Sequence, residues 1–227
     1  MTEAVTAPLP VVILISGRGS NMQAIIEAVR RGELSLDIRA VISNRPQAAG
    51  LLRAKQAGIA TVSIDHTLFK DRHAFDQALQ TTIDRYQPGL VILAGFMRIL
   101  SADFVAHYRG RMLNVHPSLL PDFPGLNTHQ RALDAGCKVH GASVHFVTAD
   151  MDGGPVVLQV RVPVYPQDTA ASLAARVLTQ EHRLYPLAIR WFAEGRLTVN
   201  DHGQALLDGA ILKEPRQLPA NTGEPAW

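Results

Sequence analysis

Two stretches of the chain carry residue types that do chemistry: Asn-Val-His-Pro-Ser-Leu-Leu-Pro at 114–121, and His-Gly-Ala-Ser-Val-His-Phe-Val-Thr-Ala-Asp-Met-Asp-Gly-Gly-Pro at 140–155. Asn114 and His116 end an apolar run, 112–115, that reads as a strand, where residues i and i+2 share a face. Both can therefore point into one cleft, and Asp152 arrives from a separate loop bounded by Gly153 and Gly154. This trio suits acyl transfer. A tetrahedral intermediate needs fixed donors aimed at its developing oxyanion, and the Asn114 amide is one. The attacking amine must lose a proton while the leaving group gains one, a task imidazole performs near neutral pH, so His116 is the candidate acid–base group. A carboxylate beside it would orient the ring and position a water for proton relay, with no protein nucleophile required.

The elements that must position these groups follow from hydrophobic periodicity. Apolar, β-branched runs at 11–15, 38–42, 60–64 and 90–93 alternate with helical patterns at 21–31, 48–57 and 71–86, which is βαβα spacing. Continuous apolar strands imply a mostly parallel central sheet covered by helices on both faces. Strands at 112–115, 142–148 and 156–164 complete the sheet. A long helix at 169–193 is closed by Gly195, and a short hairpin at 197–212 follows. The expected fold is thus a single Rossmann-like α/β domain over 10–212, with an N-terminal extension at 1–9 and a flexible tail at 213–227.

Composition narrows the function further. At 227 residues the chain supports one sizeable core. Its 22 Lys and Arg against 20 Asp and Glu leave a surplus of two, which argues against a broad nucleic-acid footprint. The single cysteine, Cys137, excludes an intramolecular disulfide and a multi-cysteine zinc cage, as expected in the cytoplasm. The opening run at 11–15 is too short for a signal or a membrane span. Gly17-Arg18-Gly19-Ser20-Asn21 lies between the first strand and first helix, where backbone N–H groups and a positive helix end can hold a phosphate. Met22 stands where a dinucleotide fingerprint needs glycine, and the Gly-Lys-Ser/Thr of a P-loop is absent, so NAD and ATP lose ground.

With these motifs assembled, the chain resembles the folate-dependent formyltransferases that formylate glycinamide ribonucleotide in purine synthesis. The likeness runs collinearly over about residues 10–195, through Ile-Ser-Gly-Arg-Gly-Ser-Asn-Met-Gln-Ala-Ile-Ile, Leu-Ala-Gly-Phe-Met-Arg-Ile-Leu-Ser, Asn-Val-His-Pro-Ser-Leu-Leu-Pro, Met-Asp-Gly-Gly-Pro and Thr-Gln-Glu-His. The resemblance implies that Asn114, His116 and Asp152 carry the chemistry, that Gly19, Ser20 and Asn21 hold the nucleotide phosphate, and that Glu181 meets the ribose region. It implies a folate site made of Arg72, of Met97, Arg98, Ile99 and Leu100, and of Thr148, Ala149, Asp150 and Met151, with Arg72 on the folate's glutamate carboxylate. The donor would be 10-formyltetrahydrofolate as a cosubstrate, with no metal. Its partners would be small molecules, with neither nucleic acid nor membrane, and a homodimer is compatible with the sequence. Arg18 in the phosphate loop and Ala149 in the folate loop, where acidic residues are common, depart from the family pattern and bear on affinity.

Each assignment competes with a plainer reading. His145 either lines the cleft or is a hydrogen-bonded core residue. Asp150 competes with Asp152, which is preferred because its glycine neighbours allow close approach. Glu181, Arg72 and Arg98 are ordinary charges without the resemblance, and Met97, Ile99 and Leu100 would serve equally as core. Cys137 has no activating base, and Ser118 lacks a nucleophile elbow. Methionyl-tRNA formyltransferase and formyltetrahydrofolate deformylase share the trio, but each adds a domain for which this chain has no room. A binding module with a dead site is the rival from outside catalysis, and the complete trio argues against it.

Overall fold

The computed structural model describes residues 7–220. Among them, eight strands form one sheet: β1 (Leu9–Ile15), β2 (Leu36–Ser43), β3 (Thr61–Ser63), β4 (Leu90–Leu93), β5 (Met112–His116), β6 (Val139–Phe146), β7 (Val156–Pro163) and β11 (Arg216–Leu218). The sheet order is β11-β7-β6-β5-β4-β1-β2-β3. Strands β3, β2, β1, β4 and β5 run parallel to one another, β6 is antiparallel to both its neighbours, and β11 pairs in parallel with β7. The expected α/β class and mostly parallel sheet are what the chain adopts.

Side-chain alternation explains the layers. Val11, Ile13 and Ile15 of β1 enter one core with Ile25 and Ile26 of α1 (Ser20–Arg30) and with Leu173, Val177 and Leu184 of α6 (Ala170–Ala193). Val12 and Leu14 enter the other, with Phe75 and Leu79 of α3 (Arg72–Asp84) and Phe104 of α4 (Ala102–His107). Helices thus cover both faces. Between them, β1 and β4 are buried on both sides, which is why these strands are apolar throughout. The helix α2 (Ala49–Gln56) joins β2 to β3, and α5 (Thr128–Asp134) precedes β6.

Helix α6 begins at a capping box in which Thr169 and Ser172 bond each other's backbone N–H groups. Its buried Tyr185 hydroxyl lies against the carbonyls of Leu93 (3.0 Å) and Leu113 (2.8 Å), tying β4 and β5 together one residue short of Asn114.

Two boundaries differ from expectation. The segment expected as a flexible tail from 213 contains β11, whose backbone completes the free edge of β7, while 221–227 lie outside the described residues. The N-terminal extension loses Leu9 to β1, and residues 1–6 lie outside the described residues. The expected hairpin is a three-stranded meander of β8 (Leu197–Val199), β9 (Ala205–Leu207) and β10 (Ala210–Ile211). Among the described residues, no helix is long and apolar enough to cross a membrane.

Candidate active site

The carboxyl ends of the parallel strands converge where β5 meets β6, the kind of crevice in which open α/β sheets bind ligands. On β5, Leu113 and Val115 point into the α6 core and Met112 into the opposite one. Period two therefore places Asn114 and His116 together on the Met112 face, at the strand's end.

The antiparallel register sets Asn114 directly opposite His145. Their side chains meet, Asn114 Nδ2 lying 3.1 Å from His145 Nε2. The other ring nitrogen, Nδ1, donates to the Phe146 carbonyl at 2.9 Å. Burial pushes the His145 pKa down and outweighs the opposing pull of the Phe146 bond and of the Asp152 carboxylate. A neutral ring with its proton on Nδ1 presents a bare Nε2, so Asn114 is the donor across the strands. That contact aims the amide and leaves its second N–H for another acceptor. His145, equivocal from sequence, is thus part of the site as a support for Asn114.

His116 is buried, with Nε2 donating to the Phe123 carbonyl at 3.0 Å and Nδ1 lying 3.4 Å from Asp152 Oδ2. Asp152 Oδ1 lies 3.7 Å from His145 Nε2, and Oδ2 also accepts from the Gly125 backbone N–H at 2.8 Å. One carboxylate thus spans both imidazoles and the loop that leaves β5. Asp152 takes a positive φ of 54° in the turn between β6 and β7. The turn closes against β6 so tightly that a Cβ on Gly154 would overlap the Phe146 carbonyl, which explains a glycine there. Asp150, two residues away, is exposed, and its carboxylate has no partner among the described residues.

The glycine-rich turn leads into α1 through Gly19, which has a φ of 70° and sits close against the Gly50 backbone of α2. No side chain caps α1, so its first N–H groups stay available to an anion. Ser20 and Asn21 open the helix. The Asn21 amide donates to Glu181 Oε2 at 2.6 Å, joining α1 to α6, and Asn21 Oδ1 is buried without a partner among the described residues. Burial holds the Glu181 carboxyl above the usual carboxylate range, against the opposing effect of the Asn21 bond.

The residues implied for folate occupy two segments. Met97 and Ile99 are more than half exposed although apolar, as is Met151 beside Gly125. Leu100 is buried, and Arg98 lies with its guanidinium 5.0 Å from the centre of the Phe75 ring. Thr148 is half-buried, with its hydroxyl 3.4 Å from the Asp150 carbonyl, and Ala149 is exposed. Arg72 is exposed at the first position of α3, with no hydrogen bond or ion pair to these segments among the described residues. Among the described residues, no group of three or more His, Cys, Asp or Glu is arranged to hold a metal.

Sequence reasoning missed the brace beneath Met97. Its backbone N–H donates to Ser16 Oγ at 2.7 Å, and that hydroxyl donates to Asn44 Oδ1 at 2.5 Å. The signal was faint: a buried serine and asparagine at the ends of β1 and β2.

A second group of histidines lies behind His116. Burial, reinforced by the neighbouring His129, lowers the His140 pKa from 6.5 to about 4, against the pull of its bond to the Pro117 carbonyl. His140 also packs edge-on against Phe123, whose carbonyl holds His116. A folded-state pKa below the unfolded one means that the unfolded chain binds more protons between those values. This contribution to stability is complete above about pH 6.5 and is lost as pH falls toward about 4. Thermal unfolding followed across that window should show Tm falling with acidity. The slope should be shallower in His140→Gln, and an unchanged slope would remove His140 as a source.

The family model described as formyl transferase matches residues 9–189. The chain is 55% identical over 202 residues to the phosphoribosylglycinamide formyltransferase of Escherichia coli (strain K12), covering 89% of this chain and 95% of that protein. It is 46% identical over 194 residues to the trifunctional purine biosynthetic protein adenosine-3 of Homo sapiens, covering 86% of this chain and 19% of that longer one. The solved phosphoribosylglycinamide formyltransferase of Coxiella burnetii superposes with a TM-score of 0.89 at 54% identity, covering 93% of this chain and all of that one.

Proposed function

The chain belongs to the formyl transferase family, and on that premise we propose that it transfers a formyl group from 10-formyltetrahydrofolate to the primary amine of 5-phosphoribosylglycinamide. The products are formylglycinamide ribonucleotide and tetrahydrofolate, a step in making IMP. The observation that carries the reading is the meeting of Asn114, His116 and Asp152 at one strand end, in a chain so close to relatives named for this reaction.

In this reading the phosphate rests on the N–H groups of Gly19, Ser20 and Asn21, where the uncapped end of α1 favours negative charge. Glu181, held by Asn21, accepts from ribose hydroxyls. The exposed apolar side chains of Met97, Ile99 and Met151 offer a face to the folate ring, with Arg98, Leu100 and the 148–150 turn as the walls and Arg72 for the glutamate carboxylate.

The amine attacks the formyl carbon as its lone pair forms the new C–N bond, and the carbonyl electrons move onto oxygen. Asn114 gives that oxyanion the N–H not used on His145. His116 offers its Nε2 proton, exchanging the Phe123 carbonyl for the oxyanion, while Asp152 holds Nδ1. The attacking nitrogen then gives up its extra proton, relayed through a water on Asp152 to the folate nitrogen. The bond to that nitrogen breaks and the oxyanion collapses to the new amide. No metal enters these steps. The lone cysteine supports a cytoplasmic setting, and a homodimer is compatible with it.

The acceptor is expected to be read through its phosphate. Calorimetry with glycinamide ribonucleotide and with the corresponding nucleoside should give strong binding for the first and much weaker binding for the second. Comparable affinities would overturn the assignment of the glycine-rich turn. Formylation of methionyl-tRNA without binding of the ribonucleotide would keep the trio and reject the acceptor.

A further inference from the structure

A cleft of about 590 Å³ opens where β1, β2 and β3 end, lined by Ser16, Gly17 and Arg18, by residues 45–49, and by residues 65–67. Its size is in the usual range for small-molecule sites, roughly 300–1,000 Å³. It borders the glycine-rich turn through Gly17 and Arg18, but Asn114, His116, Asp152, Gly19, Ser20, Asn21, Glu181 and the folate residues do not line it.

We propose that this cleft is a second ligand site, taking a sugar phosphate of nucleotide size with its phosphate between Arg18 and Arg45 and its hydroxyls on Asp65 and Thr67. The two arginines carry the argument. Both are exposed, and neither guanidinium has a hydrogen bond or an ion pair among the described residues. Arg31, Arg176 and Arg196, by contrast, are each bound to a carboxylate.

Their placement follows from the sheet. Ile15 of β1 is in register with Ser43 of β2, and the strands then release Arg18 and Arg45 from adjacent ends over the same opening. Both side chains line the cleft, and planar cationic forks suit phosphate oxygens. The start of α2 faces the same cleft without a side-chain cap.

The remaining wall argues for a sugar rather than a bare anion. Asp65 Oδ1 accepts from both the N–H of Thr67 at 3.0 Å and its hydroxyl at 2.8 Å, leaving Oδ2 free of any partner among the described residues. A fixed carboxylate oxygen repels a second phosphate and accepts from hydroxyls. The floor is rigid, because His66 Nδ1 donates to the Asn44 carbonyl at 2.8 Å and Asn44 holds Ser16. Through Ser16 the floor reaches the Met97 backbone.

The inference rests on the reading above only in assigning glycinamide ribonucleotide elsewhere. The test is a titration of ¹⁵N-labelled protein, saturated with glycinamide ribonucleotide, with ribose 5-phosphate, inorganic phosphate and ribose. Ribose 5-phosphate should move the amides of Gly17, Arg45, Ala49 and Thr67 saturably, and more tightly than phosphate or ribose. Arg45→Glu, at a side chain with no hydrogen bond or ion pair among the described residues, should weaken this about tenfold or more and leave formyl transfer unchanged. Absence of saturable shifts at millimolar ligand would overturn the proposal. So would equal affinity for phosphate alone, or indifference to Arg45→Glu. If glycinamide ribonucleotide itself fails to bind, the functional reading falls, while the same titration of the unliganded wild type and Arg45→Glu still decides the cleft.

Discussion

Asp152→Asn should lower turnover by about a hundredfold or more, the scale at which removing a group that acts in the transition state is felt, whereas Asp150→Asn should leave turnover within a few-fold of wild type. The contrast follows from where each carboxylate lies. Asp152 touches His116 Nδ1, approaches His145 Nε2 and accepts from Gly125, while Asp150 is exposed without a side-chain partner among the described residues. An amide at 152 can still accept from Gly125 but carries no charge toward His116 and takes up no proton. Steady-state kinetics of the two variants, with folding checked by circular dichroism, measure the difference. Equal losses would mean that proximity to His116 does not matter.

Asn114→Ala and His116→Ala should each reduce kcat by about a hundredfold or more, with smaller changes in KM, because their donors are used as charge develops on the oxygen. For Asn114 the loss should exceed what a missing hydrogen bond would cost, since His145 would also lose the group it orients. A double variant, Asn114→Ala with His145→Ala, should therefore be little worse than Asn114→Ala alone. Near-wild-type turnover in either single variant would take that residue out of the mechanism.

The strand carrying Asn114 and His116 was legible because period two is local: the two share a face whatever packs around them. The glycine-rich turn was legible for a related reason, since Gly17 and Gly19 follow directly on an apolar strand. The partner of Asn114 was not. That His145 lies opposite it depends on β6 running antiparallel in a particular register, a long-range pairing that no local pattern encodes. The Phe123 carbonyl that holds His116 is hidden for the same reason, being a backbone group supplied by loop geometry.

The short elements were the other blind spot. Helices α4 and α5 are too brief to develop a periodic face, and β11 is Arg-Gln-Leu, a sequence with little apolar content, ordered by backbone pairing with β7. Composition reads this region as having little to bury, and residues 213–220 contain no fully buried side chain. It could not register an available sheet edge, whose unpaired N–H and C=O groups accept a strand of almost any sequence.

Mass spectrometry of glycinamide ribonucleotide incubated with the protein and 10-formyltetrahydrofolate tests the central claim most directly, because donor, acceptor and reaction are read together. The expected result is a ribonucleotide whose mass gains one formyl group in place of an amine hydrogen. Tetrahydrofolate should form in equal amount, and none of this should appear with Asp152→Asn on the same timescale. An unchanged ribonucleotide, or release of free formate with no formylated product, would contradict it.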